Sequence, residues 1–276
     1  MNRKHLPLPD DWISPVTGYC DWLKGQRQSA GTIKLRNYHL RRLAHLTGLA
    51  PFEITPEDIS IVLGRDEWSK ETARSYNGTF TGFYEWLVTS GRLDADPTKN
   101  LPSISSVIGR PRPASESDVR YALDRSNDRV RLMLLLGAYQ GLRCREIALV
   151  HTAHLTDGVD GPYLLVNGKG DKLRTIPVLP EIASEIRRRP EGWLFPGLIN
   201  GHLSAAYVSK LISWALPDGV TAHMLRHRFA SKAYIATGHD IRAVQELLGH
   251  SSVQTTQIYT AIPNGALRAA VDGIRT

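Results

Sequence analysis

The stretch from His223 to Tyr259 constrains this chain more than any other. It reads His223-Met224-Leu225-Arg226-His227, then an apolar helical run, then Leu248-Gly249-His250-Ser251, then Thr255-Thr256-Gln257-Ile258-Tyr259. Imidazoles, a guanidinium and a phenol each sit beside apolar residues that would fix them on packed helices. A tyrosine hydroxyl that attacks a phosphodiester leaves a covalent phosphotyrosine, which a second hydroxyl can later displace. An arginine fork matches two non-bridging phosphate oxygens, and a histidine can stabilise those oxygens or move a proton near neutral pH. His223 and His227 are four apart, as in a helical metal pair. No Glu follows the first and no third ligand has metal spacing, so no metal is expected.

Two upstream segments add chemistry. Gly141-Leu142-Arg143-Cys144-Arg145-Glu146-Ile147 follows the almost wholly apolar run Arg131 to Gln140. By itself it reads as a helix start with a buried Arg–Glu pair. Tyr163 to Val166, the segment Asn167-Gly168-Lys169-Gly170-Asp171-Lys172, and Leu173 to Val178 read as a β-hairpin. The glycines permit positive φ in its turn, and a lysine on such a turn can reach into a minor groove beside a phosphate.

These segments together resemble the tyrosine recombinases, the phage integrase and Xer-type enzymes. The His-x-x-Arg-His box stands at 223–227, the Leu-Gly-His-Ser box at 248–251, the Thr-Thr-x-x-Tyr box at 255–259, the Gly-Leu-Arg-x-x-Glu box at 141–146 and the Gly-Lys-Gly-x-Lys hairpin at 168–172. One box alone is weak; several in register are specific. The resemblance implies an enzyme that breaks and rejoins DNA, with Tyr259 as nucleophile. Arg143, Arg226, His223 and His250 would stabilise the phosphoryl oxygens, and Lys169 would protonate the leaving 5′-hydroxyl. Glu146 would support the site by locking a guanidinium's orientation. Lys172 competes with Lys169 and reads better as a backbone contact; Arg145 competes with Arg143, and its place in the box argues against it. Two arginines and a lysine balance the charge without a metal, and no cofactor is expected. The departures are Gln140 where Thr is frequent and Met224 where Asp is frequent.

Residues 1–100 read as a helical, SAM-like core-type DNA-binding domain, 101–114 as a linker, and 115–276 as the catalytic domain with a C-terminal tail. The fold expected is mainly α with a small β-sheet, α+β in the catalytic domain. In the first domain Trp12, Val16, Tyr19, Cys20 and Leu23 make a helical stripe, Ser29 caps a second helix, and Thr55-Pro56-Glu57-Asp58 starts a third. Ser69 starts a fourth that carries Tyr76, Phe80, Phe83, Trp86 and Leu87, a stripe that reads as core. Between Trp22 and Phe52 stand Lys24, Arg27, Lys34, Arg36, Arg41 and Arg42 with no acid, which points to a phosphate-facing surface. In the linker, Arg110 and Arg112 among several prolines point to an extended crossing of the DNA backbone.

The net charge of +7 favours a polyanionic partner. The partner expected is double-stranded DNA carrying an inverted-repeat core site, bound by a homo-tetramer on two duplexes, with scope for an accessory directionality factor. Neither a signal peptide nor a membrane span is legible, and two cysteines make no disulfide framework. The location expected is the cytoplasm of a bacterial host, at the nucleoid. No arm-binding extension is expected before the first helix. The tail residues Ala266, Leu267, Ala270, Val271 and Ile274 form a narrow apolar stripe that, by the same resemblance, docks on a neighbouring subunit. The role expected is the integrase of a phage or mobile element. A Xer-type dimer resolvase, a type IB topoisomerase and a non-catalytic DNA-binding protein are the alternatives.

Overall fold

The computed structural model describes residues 6–105, 112–168 and 172–249. The chain divides into two compact units, Met1–Ile108 and Gly109–Thr276. Lys169, Arg110, His250, Tyr259 and the apolar tail stripe lie outside the described residues.

The first unit holds helices α1 (Asp10–Gly25), α2 (Ala30–Thr47), α3 (Pro56–Leu63) and α4 (Lys70–Thr89). Each start from α2 onward has a local cause. Ser29 and Ser69 accept the amides of Thr32 and Thr72, and Thr55 forms a reciprocal capping box with Asp58 behind Pro56. Such caps each stabilise a helix by about 1 kcal/mol. The stripes of α1, α2 and α4 meet in one core of Trp12, Tyr19, Leu40, Leu43, Phe80, Phe83 and Tyr84. The polar ends of its aromatics are satisfied: Trp12 Nε1 donates to Leu49 O at 2.9 Å and Tyr84 Oη to Pro51 O at 3.0 Å.

The second unit is built around α6 (Asp128–Tyr139), which is buried nearly all round through Leu132, Met133, Leu134 and Leu136. That burial is why its sequence from Leu132 onward shows no polar face. Packed on it are α5 (Glu116–Arg125), α7 (Cys144–Ala148), α8 (Pro180–Arg187), α9 (Ala205–Ala215) and α10 (Ala222–Ala236). Helix α11 (Ile241–Leu248) packs on α10. Buried Arg228 of α10 donates to Ala138 O at 3.0 Å and to Glu116 at 2.6 Å, tying α5, α6 and α10 together.

Beside the helices lies an antiparallel sheet in the order β1 (Leu155–Gly158), β2 (Gly161–Asn167), β3 (Leu173–Pro177). The hairpin is longer at its first strand than the sequence suggested, and β1 was not expected at all. A short strand, β4 (Pro196–Ile199), follows α8 outside this sheet. In β2 and β3 the residues Leu164, Val166 and Ile176 are buried, with Leu164 paired to Ile176 and Val166 to Arg174. The chain is therefore mainly α with a small sheet, as expected.

Gly141 illustrates how the sequence fits this unit. Its φ is +65°, and a Cβ added there would run into the ring of Phe229. An L-residue in the left-handed region costs about 1–2 kcal/mol before any clash. Gly141→Ala is expected to destabilise the protein by at least about 2 kcal/mol, read as a lowered urea midpoint.

Candidate active site

Three elements meet at one carboxylate, and a fourth holds the arginines around it. Helix α7 begins immediately after Arg143, and Glu146 stands in its first turn. Its carboxylate accepts the Arg143 amide at 2.8 Å and Arg143 Nη1 at 2.9 Å. From β3, Arg174 grips both oxygens of the same carboxylate, Nη1 to Oε1 at 2.9 Å and Nη2 to Oε2 at 3.1 Å. From α10, Arg226 Nη1 approaches Oε2 at 3.5 Å. The carboxylate side chain is 2% exposed. Burial pushes its pKa up. The hydrogen bonds and charge of Arg174, the Arg143 amide and the charge of Arg226 outweigh that and hold it below the ordinary carboxylate range.

The fourth element is the end of α11. A helix C-terminus leaves carbonyls without intrahelical partners and carries a partial negative charge. Here Leu247 O accepts Arg174 Nε at 3.0 Å, and Leu248 O accepts Arg226 Nη2 at 2.6 Å and Arg143 Nη1 at 3.4 Å. Arg226 Nη1 also donates to Gly141 O at 2.5 Å. The helix closes on Gly249 at φ +62°, where a Cβ would meet the Arg174 side chain at 2.9 Å. Gly249 is thus demanded both by backbone conformation and by the guanidinium lying against it.

The arginines differ in access. Arg143 is 35% exposed, Arg174 12% and Arg226 1%. Arg226 was read from sequence as a phosphate-facing fork. Its side chain is turned inward onto Gly141, Glu146 and Leu248. Its charge acts on His223 nearby. Arg143 is the guanidinium of the cluster that solvent reaches most.

His223 stands exposed in the first turn of α10, its ring edge-on to His227 at 4.4 Å between centroids. Partial desolvation first, then the charges of Arg226 and Arg143, lower its pKa. Desolvation, His223 and Arg226 bring His227 down to about 4. Both imidazoles are therefore neutral at pH 7, the form that can accept a proton. Among the described residues no His, Cys, Asp or Glu group could hold a metal ion.

The remaining sequence candidates scatter. Lys24, Arg27 and Lys34 are exposed, and Lys24 pairs with Asp21 at 2.8 Å. Arg36, Arg41 and Arg42 are half-buried. Arg36 donates to Tyr19 Oη at 2.5 Å, Arg41 to Asn37 at 2.6 Å and to Leu6 O at 2.8 Å, and Arg42 lies beside the Tyr76 phenol. Arg112 and Lys172 are exposed. Arg145 donates to Gly168 O at 3.1 Å and so holds the base of the hairpin turn.

Sequence reasoning missed Arg174. Its signal was available: on a strand, Arg174 shares a face with the buried Ile176, and an inward-facing charge needs a partner.

No described helix is long and apolar enough to cross a membrane. Residues 115–264 match the family model described as Phage integrase family. Tyrosine recombinase XerC of Methylobacterium nodulans is 30% identical, over 91% of this chain and 88% of that relative. The XerC of Bradyrhizobium diazoefficiens is 32% identical over 64% of this chain, a match that spans 62% of that relative's length. A lambda integrase tetramer bound to a Holliday junction superposes with a TM-score of 0.72 at 18% identity, over 89% of this chain and 76% of that one, a likeness of fold. With the family model matched across the arginine cluster and a relative aligned along nearly the whole chain, this protein belongs to the phage integrase family of tyrosine recombinases.

Proposed function

We propose that the protein cuts and rejoins DNA at a specific site through a 3′-phosphotyrosyl intermediate. The observation that carries this reading is the cluster around Glu146, where one buried carboxylate and the end of α11 hold three guanidiniums together beside neutral His223. Three positive charges against one negative leave the site cationic, which suits a phosphodiester gaining charge in its transition state.

In this reading the Tyr259 hydroxyl attacks the phosphorus and gives up its proton, with neutral His223 as acceptor. The bond to the 5′-oxygen breaks, and Lys169 protonates the leaving oxygen. Arg143 contacts the phosphoryl oxygens, Arg226 adds charge from behind, and His250 donates to them. An arginine in such a role contributes on the order of 10³–10⁵ in rate in other phosphoryl transfers. The new phosphotyrosyl bond retains the free energy of the old phosphodiester, so a second 5′-hydroxyl can displace Tyr259 without an energy source. Residues 1–100 serve as the core-type DNA-binding domain, with exposed Lys24, Arg27 and Lys34 as its phosphate contacts, while Arg112 of the linker and Lys172 of the hairpin contact phosphates outside it. Four protomers act on two duplexes.

The biological role follows from the DNA used. The sequence favours the integrase of a phage or mobile element. The XerC relatives, one aligned over 91% of this chain, favour resolution of replicon dimers as the second reading. The test is covalent trapping. The protein is incubated in EDTA with fragmented host and element DNA, quenched with SDS, and the protein-linked DNA is sequenced. The expected result is an adduct at one inverted-repeat site. An element–host junction identifies an integrase and a replication-terminus site a Xer-type resolvase. Site-specific binding without any adduct overturns the catalytic reading.

A further inference from the structure

Arg174 is the one guanidinium of the cluster to which the reaction assigns no task. Its side chain is 12% exposed, so it is not poised to touch DNA. Yet it is the most fully engaged of the three with Glu146, gripping both carboxylate oxygens at 2.9 and 3.1 Å. Its Nε donates to Leu247 O at 3.0 Å. One planar side chain thereby joins three elements: strand β3, the carboxylate of α7 and the end of α11.

Those connections lie at strategic points in the chain. Arg174 sits one residue into β3, opposite Val166 of β2, and Gly168 N donates to Lys172 O at 2.9 Å just beyond that pair. The segment that carries Lys169 leaves from this closure. At the other end, the Leu247 carbonyl precedes Gly249, whose backbone lies against the Arg174 side chain, and His250 follows. A second arginine braces the same hairpin base, since Arg145 donates to Gly168 O at 3.1 Å. A cation at the C-terminal end of α11 is also favoured by the helix dipole.

We infer that Arg174 is a positioning residue: through Glu146 and the Leu247 carbonyl it fixes the stem of the β2–β3 hairpin, the stem on which Lys169 follows Gly168 in sequence, against the arginines and the end of α11. The inference rests on the proposed role of Lys169 as the acid that protonates the leaving oxygen. Lysine cannot replace Arg174 in this task, because a single ammonium does not span two carboxylate oxygens and a carbonyl on a third side.

The test uses the full chain and the duplex recovered by trapping, made in two forms. One is the ordinary phosphodiester. The other has sulfur in place of the 5′-bridging oxygen at the cut, a leaving group that needs no proton. Single-turnover cleavage is measured for wild type, Arg174→Lys, Arg174→Met and, as comparator, Lys169→Ala. On the ordinary duplex Arg174→Lys is expected to cleave on the order of 10²-fold more slowly, the cost of a misplacement of about 1 Å, with DNA affinity unchanged. On the sulfur duplex most of that loss is expected to disappear, as for Lys169→Ala. Amide exchange at Gly168 should accelerate in Arg174→Lys while the amides of α6 stay protected.

An equal loss on both duplexes overturns the inference while leaving the acid role of Lys169 intact. Failure of sulfur to rescue Lys169→Ala removes the acid role, and this inference with it. Unfolding of both Arg174 variants, seen as lost protection in α6, makes Arg174 a residue of the fold rather than of the site and also overturns the inference.

Discussion

Tyr259→Phe is expected to abolish the covalent adduct completely while leaving site-specific DNA affinity within error of wild type. The substitution removes one oxygen and keeps the ring. If that oxygen is the nucleophile, no other group restores the phosphotyrosyl bond, and the loss is total rather than graded. In the proposed reading, binding depends on different residues. Exposed Lys24, Arg27, Lys34, Arg112 and Lys172 and half-exposed Arg143 keep their charges, and affinity for DNA comes largely from such phosphate contacts. The contrast with an arginine variant is informative. Arg143→Ala lowers a transition-state contact and should slow cleavage by roughly 10³ or more, yet adduct still accumulates with time. Quantifying protein-linked DNA after SDS quench, beside a gel-shift titration in the same salt, separates the two. Adduct formation by Tyr259→Phe would move the nucleophile elsewhere. Matched loss of adduct and binding would make Tyr259 a structural residue.

The parts of this fold that were legible in sequence are those decided locally. The capping box at Thr55–Asp58 forms as its spacing requires. The aromatic stripe of α4 is core because a helix buries every third or fourth residue. The pairing of Arg143 with Glu146 followed from residues three apart at a helix start. What was not legible depends on partners distant in sequence or on backbone atoms. Leu247 and Leu248 act through their carbonyls, and a backbone acceptor leaves no trace in residue type. Arg226 reads as a fork for phosphoryl oxygens, and nothing in its residue type announces the oxygens of Gly141, Glu146 and Leu248 that surround it. Likewise the hydrogen bonds of Arg36 to Tyr19 and of Arg41 to Asn37 and Leu6 are not legible in residue type. Strand β1 escaped notice because Leu155-Thr156-Asp157-Gly158 is mostly exposed and has little apolar content to alternate.

The second large effect concerns Glu146. Its carboxylate is the only acid the described contacts place among Arg143, Arg174 and Arg226. Removing one partner of a buried ion pair leaves an uncompensated charge and costs about 3–5 kcal/mol. Here the stranded charges are Arg226 at 1% and Arg174 at 12% exposure, so Glu146→Ala belongs at the upper end of that range. Glu146→Gln keeps an acceptor oxygen but turns an amide donor towards a guanidinium, and should cost somewhat less. In both, cleavage is expected to fall further than stability explains, since Arg143 loses the contacts that aim it. The pH dependence gives an independent check. The folded-state pKa of Glu146 is held below its ordinary value, so its contribution to stability is fully present above about pH 4.3 and is lost as pH falls through the depressed value. Urea unfolding of wild type and Glu146→Gln should therefore show a wide gap at pH 7 that narrows on acidification below pH ~4. A gap that stays constant with pH, or no gap at pH 7, would mean that the guanidiniums are held by the carbonyls of Gly141, Leu247 and Leu248 rather than by the carboxylate. The α11 helix end, and not Glu146, would then be the group that organises the site.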